Sequence, residues 1–169
     1  GGARRVTGAL ALSTENAAPR VWVDADACPG PIKQILFRAA QRSGCAVTLF
    51  ANHAMQVPEA ANVRFVHVAA GFDVADNEIV RRVRPGDLVV TQDIPLAAEV
   101  VALGAEAVSP RGESFNRETV RARLAMRDFM TELRDSGVRT GGPPPLGATD
   151  KQRFANVLDR WVARRGKPP

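Results

Sequence analysis

Short apolar runs alternate with helix-periodic segments along most of the chain. The first run, residues 21–23, stops at Asp24. Apolar positions spaced three and four residues apart then predict a helix that begins near Pro29 and ends at Gly44. The same criteria predict four more strands, at residues 46–50, 64–68, 88–90 and 105–108, and two more helices, over about 73–83 and 95–104.

The predicted order is β-α-β-β-α-β-α-β, which favours an α/β fold with a mainly parallel central sheet flanked by helices. The last third of the chain is predicted to be helical. One long helix is capped by Asn116 or Ser114 and ends at Gly137, and a final helix is capped by Thr149 or Asp150. The apolar stripe of the final helix is expected to pack on the domain.

Length and composition fit one domain with a buried core. The chain has 169 residues, of which 45% are hydrophobic and 24% are charged. We interpret residues 1–19 as a flexible leader, 20–165 as a single domain and 166–169 as a tail. No apolar run approaches the roughly 18 residues of a membrane span, so an integral membrane protein is not expected.

Charge and cysteine content suggest the partner and the compartment. The formal net charge of +5 favours polyanionic partners, although many basic proteins bind no nucleic acid. A basic face could form from Lys33, Arg38, Arg121, Arg123 and Arg127, although charged helix faces are usually only solvated. The chain has two cysteines and no signal-peptide pattern, which predicts a cytoplasmic protein with reduced thiols.

Two aspartates directly follow the first predicted strand. Asp24 and Asp26 are two residues apart, so they point to the same side if the chain stays extended. Crowded carboxylates repel one another, and a fold that gathers them usually places a cation between them. Mg²⁺ and Mn²⁺ prefer such oxygen ligands. The alternative for Asp26 is a purely structural role as the cap of the following helix.

Asp76 lies on or beside the apolar stripe of its predicted helix, where an ionised group is costly unless it is paired or binds a metal. Asp73 precedes that helix and is explained as its N-cap, with a role in the site as the alternative.

Asp93 and Thr91 follow the strand at 88–90. Because the carboxyl ends of parallel strands meet at one edge of a sheet, we expect both residues near Asp24. Capping of the next helix by Asp93 is compatible with metal binding. Asp87 lies at the other end of the same strand and is interpreted as a turn residue.

Two further groups carry weaker signals. Arg111 follows the last predicted strand at the same edge, and it either meets a phosphate or is solvated. Cys28 precedes a helix N-terminus, which can lower the pKa of a thiol. We favour the simpler interpretation of Cys28 as a small, partly buried side chain.

Taken together, the motifs resemble the bacterial YaiI/YqxD family from about residue 21 to residue 161. The residues that carry the likeness are Asp24-Ala-Asp26-Ala-Cys28-Pro29, Asp73-Val-Ala-Asp76, Thr91-Gln-Asp93, Arg111-Gly112 and Gly141-Gly142-Pro143. The family is functionally uncharacterised and looks like a member of the PIN-like group of metal-dependent nucleases.

The PIN-like resemblance implies a three-layer domain and a role for each matching residue. Asp24, Asp26, Asp76 and Asp93 would hold one or two Mg²⁺ or Mn²⁺ ions for RNA cleavage, and Thr91 would orient a ligand or water. PIN domains usually carry one more acid between the first and the mid-chain aspartate, whereas residues 27–72 contain only Glu59. The metal site is therefore expected to have fewer acidic residues than in active PIN-like nucleases, or Asp73 takes the place of the missing acid.

Two other functions stay open at this stage. Asp24 and Asp26 also resemble the nucleophile and general acid of a haloacid-dehalogenase-like phosphatase, but the expected motif lysine is missing. The third interpretation is a non-catalytic RNA-binding protein with a degenerate acidic site.

Overall fold

A six-stranded sheet forms the centre of the molecule, as described by a computed structural model for residues 18–71, 73–138 and 144–165. The strand order is β3-β2-β1-β4-β5-β6, with only the β5–β6 pair antiparallel. The strands are β1 (Val21–Asp24), β2 (Val47–Ala51), β3 (Val63–His67), β4 (Leu88–Val90), β5 (Glu106–Val108) and β6 (Ser114–Phe115). The predicted α/β fold with a mainly parallel sheet is confirmed.

Five α-helices connect and cover the strands: α1 (Gly30–Ser43), α2 (Val74–Arg82), α3 (Ile94–Ala102), α4 (Arg117–Asp135) and α5 (Ala148–Arg164). The bounds of α1 and α2 lie within about one residue of the predicted ones, and α3 and α4 end about two residues before their predicted ends. Gly44 ends α1 in the left-handed conformation with φ of 77°. No helix in the described part of the chain is long and apolar enough to cross a membrane.

The sheet separates two apolar cores, which gives the expected three layers. Side chains of α1 and α5 pack on one face, around residues such as Leu36 and Phe154. Side chains of α2, α3 and α4 pack on the other face, around residues such as Ile79 and Val100. The alternation of side chains along each buried strand divides them between the two cores.

Two buried tryptophans anchor the layers to the turn before β4. On one face, the Trp22 indole donates a 2.8 Å hydrogen bond to Asp87, whose carboxylate also accepts the backbone amides of Arg20 and Arg84. On the other face, the Trp161 indole donates to the Gly86 carbonyl oxygen at 3.0 Å. The predicted turn position of Asp87, away from the acidic edge, is confirmed.

Several predicted details differ from the structure. Strand β6 was not predicted, and a short 3-10 turn at Ala25–Ala27 follows β1. Asn116 caps α4, so the Ser114 alternative was wrong because that residue lies in β6. Helix α5 begins at Ala148, and Asp150 instead lies in its first turn and accepts the Gly147 amide.

Some sequence predictions fall where the structure does not describe the chain. Residues 1–17 of the predicted leader, the tail at 166–169 and the Gly141-Gly142-Pro143 motif all lie outside the described residues.

Candidate metal centre

The carboxyl ends of β1 and β4 lie side by side because these strands are parallel neighbours. Asp24 is the last residue of β1, and Thr91 directly follows β4. Asp93 comes two residues later and is the N-cap of α3. Consecutive strand and helix boundaries therefore bring one hydroxyl and two carboxylates to one edge of the sheet, as the sequence predicted.

Thr91 connects these two segments. Its hydroxyl donates to Oδ2 of Asp24 at 3.1 Å and accepts the backbone amide of Asp93 at 3.0 Å. The Thr91 residue is 1% exposed, so its hydroxyl has little access to water and its single proton is committed to Asp24. Thr91 therefore fixes the orientation of a carboxylate.

Three carboxylates form a compact cluster at this edge. One oxygen from each of Asp73, Asp76 and Asp93 lies within 4.8 Å of the other two. Asp76 is in the first turn of α2, Asp73 immediately precedes that helix, and Asp93 begins α3. The cluster thus joins two helix N-termini.

Burial and mutual repulsion change the proton affinity of the cluster. The pKa of Asp76 is raised to about 7, mainly by burial, and also by the negative charges of Asp93 and Asp24 and by a hydrogen bond with Asp93. Burial also raises the pKa of Asp24, against the lowering effect of the Thr91 hydrogen bond. Asp24 is therefore electrostatically part of the same group of acids.

Asp73 does not act as the side-chain cap that the sequence predicted. It occupies the N-cap position of α2, but its side chain accepts no capping hydrogen bond. Its backbone is left-handed with φ of 64°, a conformation that aspartate adopts at a modest energetic cost. The alternative interpretation, a place in the acidic site, matches the geometry.

Asp93 caps α3, as expected. Its Oδ1 accepts the Leu96 amide at 2.9 Å and so caps α3. A carboxylate has a second oxygen and further lone pairs, so the cap leaves coordination capacity for a cation.

Asp26 faces a different neighbour. Its Oδ1 lies 2.7 Å from Nδ1 of His53, and its Oδ2 accepts the Asn52 amide at 2.9 Å. The interpretation of Asp26 as the cap of α1 was wrong, because Pro29 holds that position without a side-chain bond. Asp26 is outside the three-carboxylate cluster, although its charge still raises the pKa of Asp24.

His53 and Asn52 are neighbours of the acidic edge that the sequence did not predict. Both follow β2, whose register with β1 sets Asp24 opposite Phe50. The signal was available in principle, because the residues after β2 must emerge at the same sheet edge as those after β1.

Arg111 makes structural contacts, and Cys28 is buried. Arg111 pairs with Asp150 at 2.9 Å and donates to the Pro144 carbonyl oxygen, so it ties the loop after β5 to α5. Cys28 is 6% exposed, and burial raises the pKa of its thiol to about 12. The favoured interpretation of Cys28 as a buried thiol is confirmed, and a lowered pKa is not found.

The donor chemistry of the edge suits a hard divalent cation. Asp24, Asp73, Asp76 and Asp93 offer only oxygen ligands, which Mg²⁺ and Mn²⁺ prefer to nitrogen or sulfur. A bound cation would also relieve the repulsion that raises the pKa of Asp76.

Comparison with known proteins finds extensive similarity to uncharacterised bacterial chains. A model of the family described as "Uncharacterized BCR, YaiI/YqxD family" matches residues 22–164. A UPF0178 protein of Thioalkalivibrio sulfidiphilus is 63% identical over 146 residues, which cover 86% of this chain and 99% of the relative. One from Halorhodospira halophila is 65% identical, with 86% and 97% covered. No solved structure matches the chain.

Proposed function

We propose a function for this chain, which belongs to the YaiI/YqxD family, from the chemistry of its site: a divalent-metal-dependent phosphodiesterase that cleaves RNA. The acids at the carboxyl edge of the sheet would hold Mg²⁺ or Mn²⁺. The net charge of +5 supports an anionic substrate.

The observation that carries this proposal is the convergence of three carboxylates within 4.8 Å. Like charges at that distance destabilise the folded protein unless a proton or a cation lies among them. Burial, followed by the neighbouring negative charges of Asp93 and Asp24, raises the pKa of Asp76 to about 7. Such perturbed acids in a cluster are typical of functional sites.

Each residue has a separate task in the proposed reaction. Asp76 and Asp93 would hold the cation with Asp73, and Asp24 would complete the negative environment in the orientation that Thr91 imposes. When bound, the cation supplies neutralisation of phosphate charge and a lowered pKa for water. The side-chain carboxylates remain ionised for this role, since the cation offsets their repulsion.

The direct test is cleavage of labelled single-stranded and hairpin RNA with Mg²⁺, with Mn²⁺ and with a chelator. We expect wild type to cleave only with a divalent cation, and Asp24→Asn and Asp76→Asn to lose at least about a hundredfold in rate. Asp128→Asn removes an exposed carboxylate on α4 and serves as the matched control, with unchanged activity expected. Equal rates in wild type and Asp24→Asn would overturn the proposal.

Metal binding is tested separately from cleavage. Saturating Mn²⁺ should raise the Tm of wild type, because a ligand that binds only the folded state stabilises it. The shift should be absent in a double variant, Asp76→Asn with Asp93→Asn, and unchanged in Asp128→Asn. If neither Mg²⁺ nor Mn²⁺ changes the Tm of wild type, the proposed metal site is wrong.

One observation favours a second candidate, a non-catalytic RNA-binding protein. Asp26 is held by His53 and Asn52, so the second acid of the PIN-like pattern is directed elsewhere. RNA binding without cleavage under any divalent cation would support this candidate. A covalent phosphate trapped on Asp24 would instead revive the phosphatase interpretation.

A further inference from the structure

The second half of α4 carries large apolar side chains that are exposed or only partly covered. Met126 is 51% exposed and Phe129 is 54% exposed. Met130 and Leu133, which are half-buried, continue the same row, since positions i, i+3, i+4 and i+7 share one face of a helix. We call these four residues the α4 stripe.

The α4 stripe is not a continuation of the face that packs on the core. Val120 and Leu124 belong to the core beneath the first half of the helix. The next positions on their row are Asp128 and Thr131, both exposed, and Arg127, also exposed, lies between this row and Met130. The apolar row therefore moves to the far side of the helix after Leu124, away from the domain that the first half contacts.

The charges of α4 are also divided between faces. Arg123, Arg127 and Arg134 follow one flank of the α4 stripe at helical spacing. Asp128, Glu132 and Asp135 occupy a separate row on the far side from the stripe. Arg123 pairs with Glu113 at 3.2 Å, whereas within the described residues neither Arg127 nor Arg134 has a carboxylate within 4.0 Å.

We propose that the α4 stripe, together with Arg127 and Arg134, is a binding surface for single-stranded RNA. Unpaired nucleotides combine the two properties this face complements, namely negative phosphates for the guanidinium groups and flat apolar bases for Phe129. The inference rests on the proposed function, because it takes RNA as the substrate of the acidic edge.

The charge distribution argues against an antiparallel pairing with a second copy of the chain. An antiparallel pair of α4 helices packed through the stripe would place the arginine flank of one copy beside that of the other. Like charges so placed repel, whereas a polyanion neutralises both flanking arginines.

The test is fluorescence anisotropy of a labelled, unstructured RNA of about 20 nucleotides in a chelator, at about 50 mM salt. The double variant Arg127→Gln, Arg134→Gln should bind about tenfold more weakly, with a shallower dependence of affinity on salt because fewer counterions are released. Phe129→Ala should weaken binding about fivefold or more, and Phe129→Trp should preserve it.

The matched control lies on the same helix. Arg117→Gln with Arg121→Gln removes the same charge from the opposite side of α4, among the acidic residues, where helical spacing sets Arg121 apart from Arg127 of the predicted basic face. We expect less than about a twofold change in affinity. Equal losses in both double variants would show attraction by net charge alone and would overturn the proposal, as would the absence of measurable binding by wild type.

Other occupants give different results. Loss of a wild-type dimer in Phe129→Ala, with RNA affinity unchanged, would assign the stripe to a second copy. Binding to anionic lipid vesicles but not to RNA would assign it to a membrane surface. Either result overturns the RNA proposal.

The chelator separates this inference from the proposed function. RNA binding that depends on α4, without cleavage under any cation, leaves the surface intact and removes the nuclease. A cleavage rate that is unchanged in the α4 variants would support the nuclease and overturn the α4 surface.

Discussion

The Thr91 hydroxyl donates a 3.1 Å hydrogen bond to Oδ2 of Asp24 and thereby joins the ends of β1 and β4. The same oxygen accepts the Asp93 amide, so one buried atom positions both strand ends. The hydrogen bond also lowers the pKa of Asp24, whereas burial raises it. A single hydroxyl therefore keeps an acid of the candidate site closer to its ionised form.

Replacement of this hydroxyl tests its structural weight. Thr91→Val keeps the shape of the side chain but leaves the Asp93 amide and the Asp24 carboxylate without their partner. We expect a loss of about 1–3 kcal/mol in the free energy of unfolding, measured by urea denaturation. Thr131→Val, at an exposed position of α4, should change it by less than about 0.5 kcal/mol. Equal stability of the two variants would contradict this role.

The stability of the metal-free protein should depend on Asp76. Its pKa is about 7 in the folded state against an ordinary value of 3.8, so the folded state binds the extra proton between these values. This contribution is full below about pH 4 and is lost as the pH rises through about 7. We expect a difference of about 1 kcal/mol, since solvent screens half-exposed carboxylates.

Asp76→Asn removes that titration. In a chelator at pH 8, the variant should be more stable than wild type, with a smaller difference at pH 4. Thermal unfolding across this range gives the comparison. A wild type that gains stability from pH 4 to pH 8 relative to Asp76→Asn would contradict the raised pKa.

Gly112 is the position where a small side chain should be most harmful. Its φ is 84°, and an added Cβ would lie 2.6 Å from backbone atoms of both Arg153 and Phe154 in α5. We expect Gly112→Ala to lose at least about 2 kcal/mol of stability, because backbone cannot move aside as a flexible side chain can. Gly30→Ala has open space around its Cβ and should be nearly neutral in the same denaturation experiment.

Cys28 should resist alkylation while the protein is folded. Its pKa of about 12, against an ordinary 9.0, reduces the thiolate fraction by about a thousandfold, and burial adds steric protection. Mass spectrometry of iodoacetamide-treated protein should find Cys28 modified only after unfolding. A cysteine introduced at exposed Ser136 should react rapidly in the folded protein. Comparable rates at the two positions would show that Cys28 is reactive.

The main strands and helices were predicted well from the sequence. The apolar runs at Leu88–Val90 and Val47–Ala51 are buried strands, and the periodicity before Gly44 is a helix. These signals are local, because the burial of a strand or an amphipathic helix determines the order of apolar and polar residues within that segment. Strand β6 has only two residues, too few to show any period.

The candidate site was only partly predictable, since its geometry depends on how distant segments meet. The parallel order of the strands predicted that Asp24 and Asp93 lie at one edge of the sheet. The position of Asp76 beside an apolar stripe indicated that it is a candidate site residue. The pairing of Asp26 with His53 was missed, because it depends on the path of the chain after β2. Asp73 was assigned to a cap by residue type, whereas its side chain makes no capping hydrogen bond and one of its oxygens lies within 4.8 Å of oxygens of Asp76 and Asp93.

The two indoles that bind successive residues of the Gly86–Asp87 turn give the protein a built-in pair of optical probes. Each tryptophan reports on its own layer. In Trp22→Phe the remaining indole is Trp161, and its fluorescence follows the unfolding of the layer with α5. In Trp161→Phe the remaining indole is Trp22, and its fluorescence follows the layer that contains Phe50. Coincident transitions in the two variants would mean that both layers melt as one cooperative unit, and separate transitions would reveal which layer is released first.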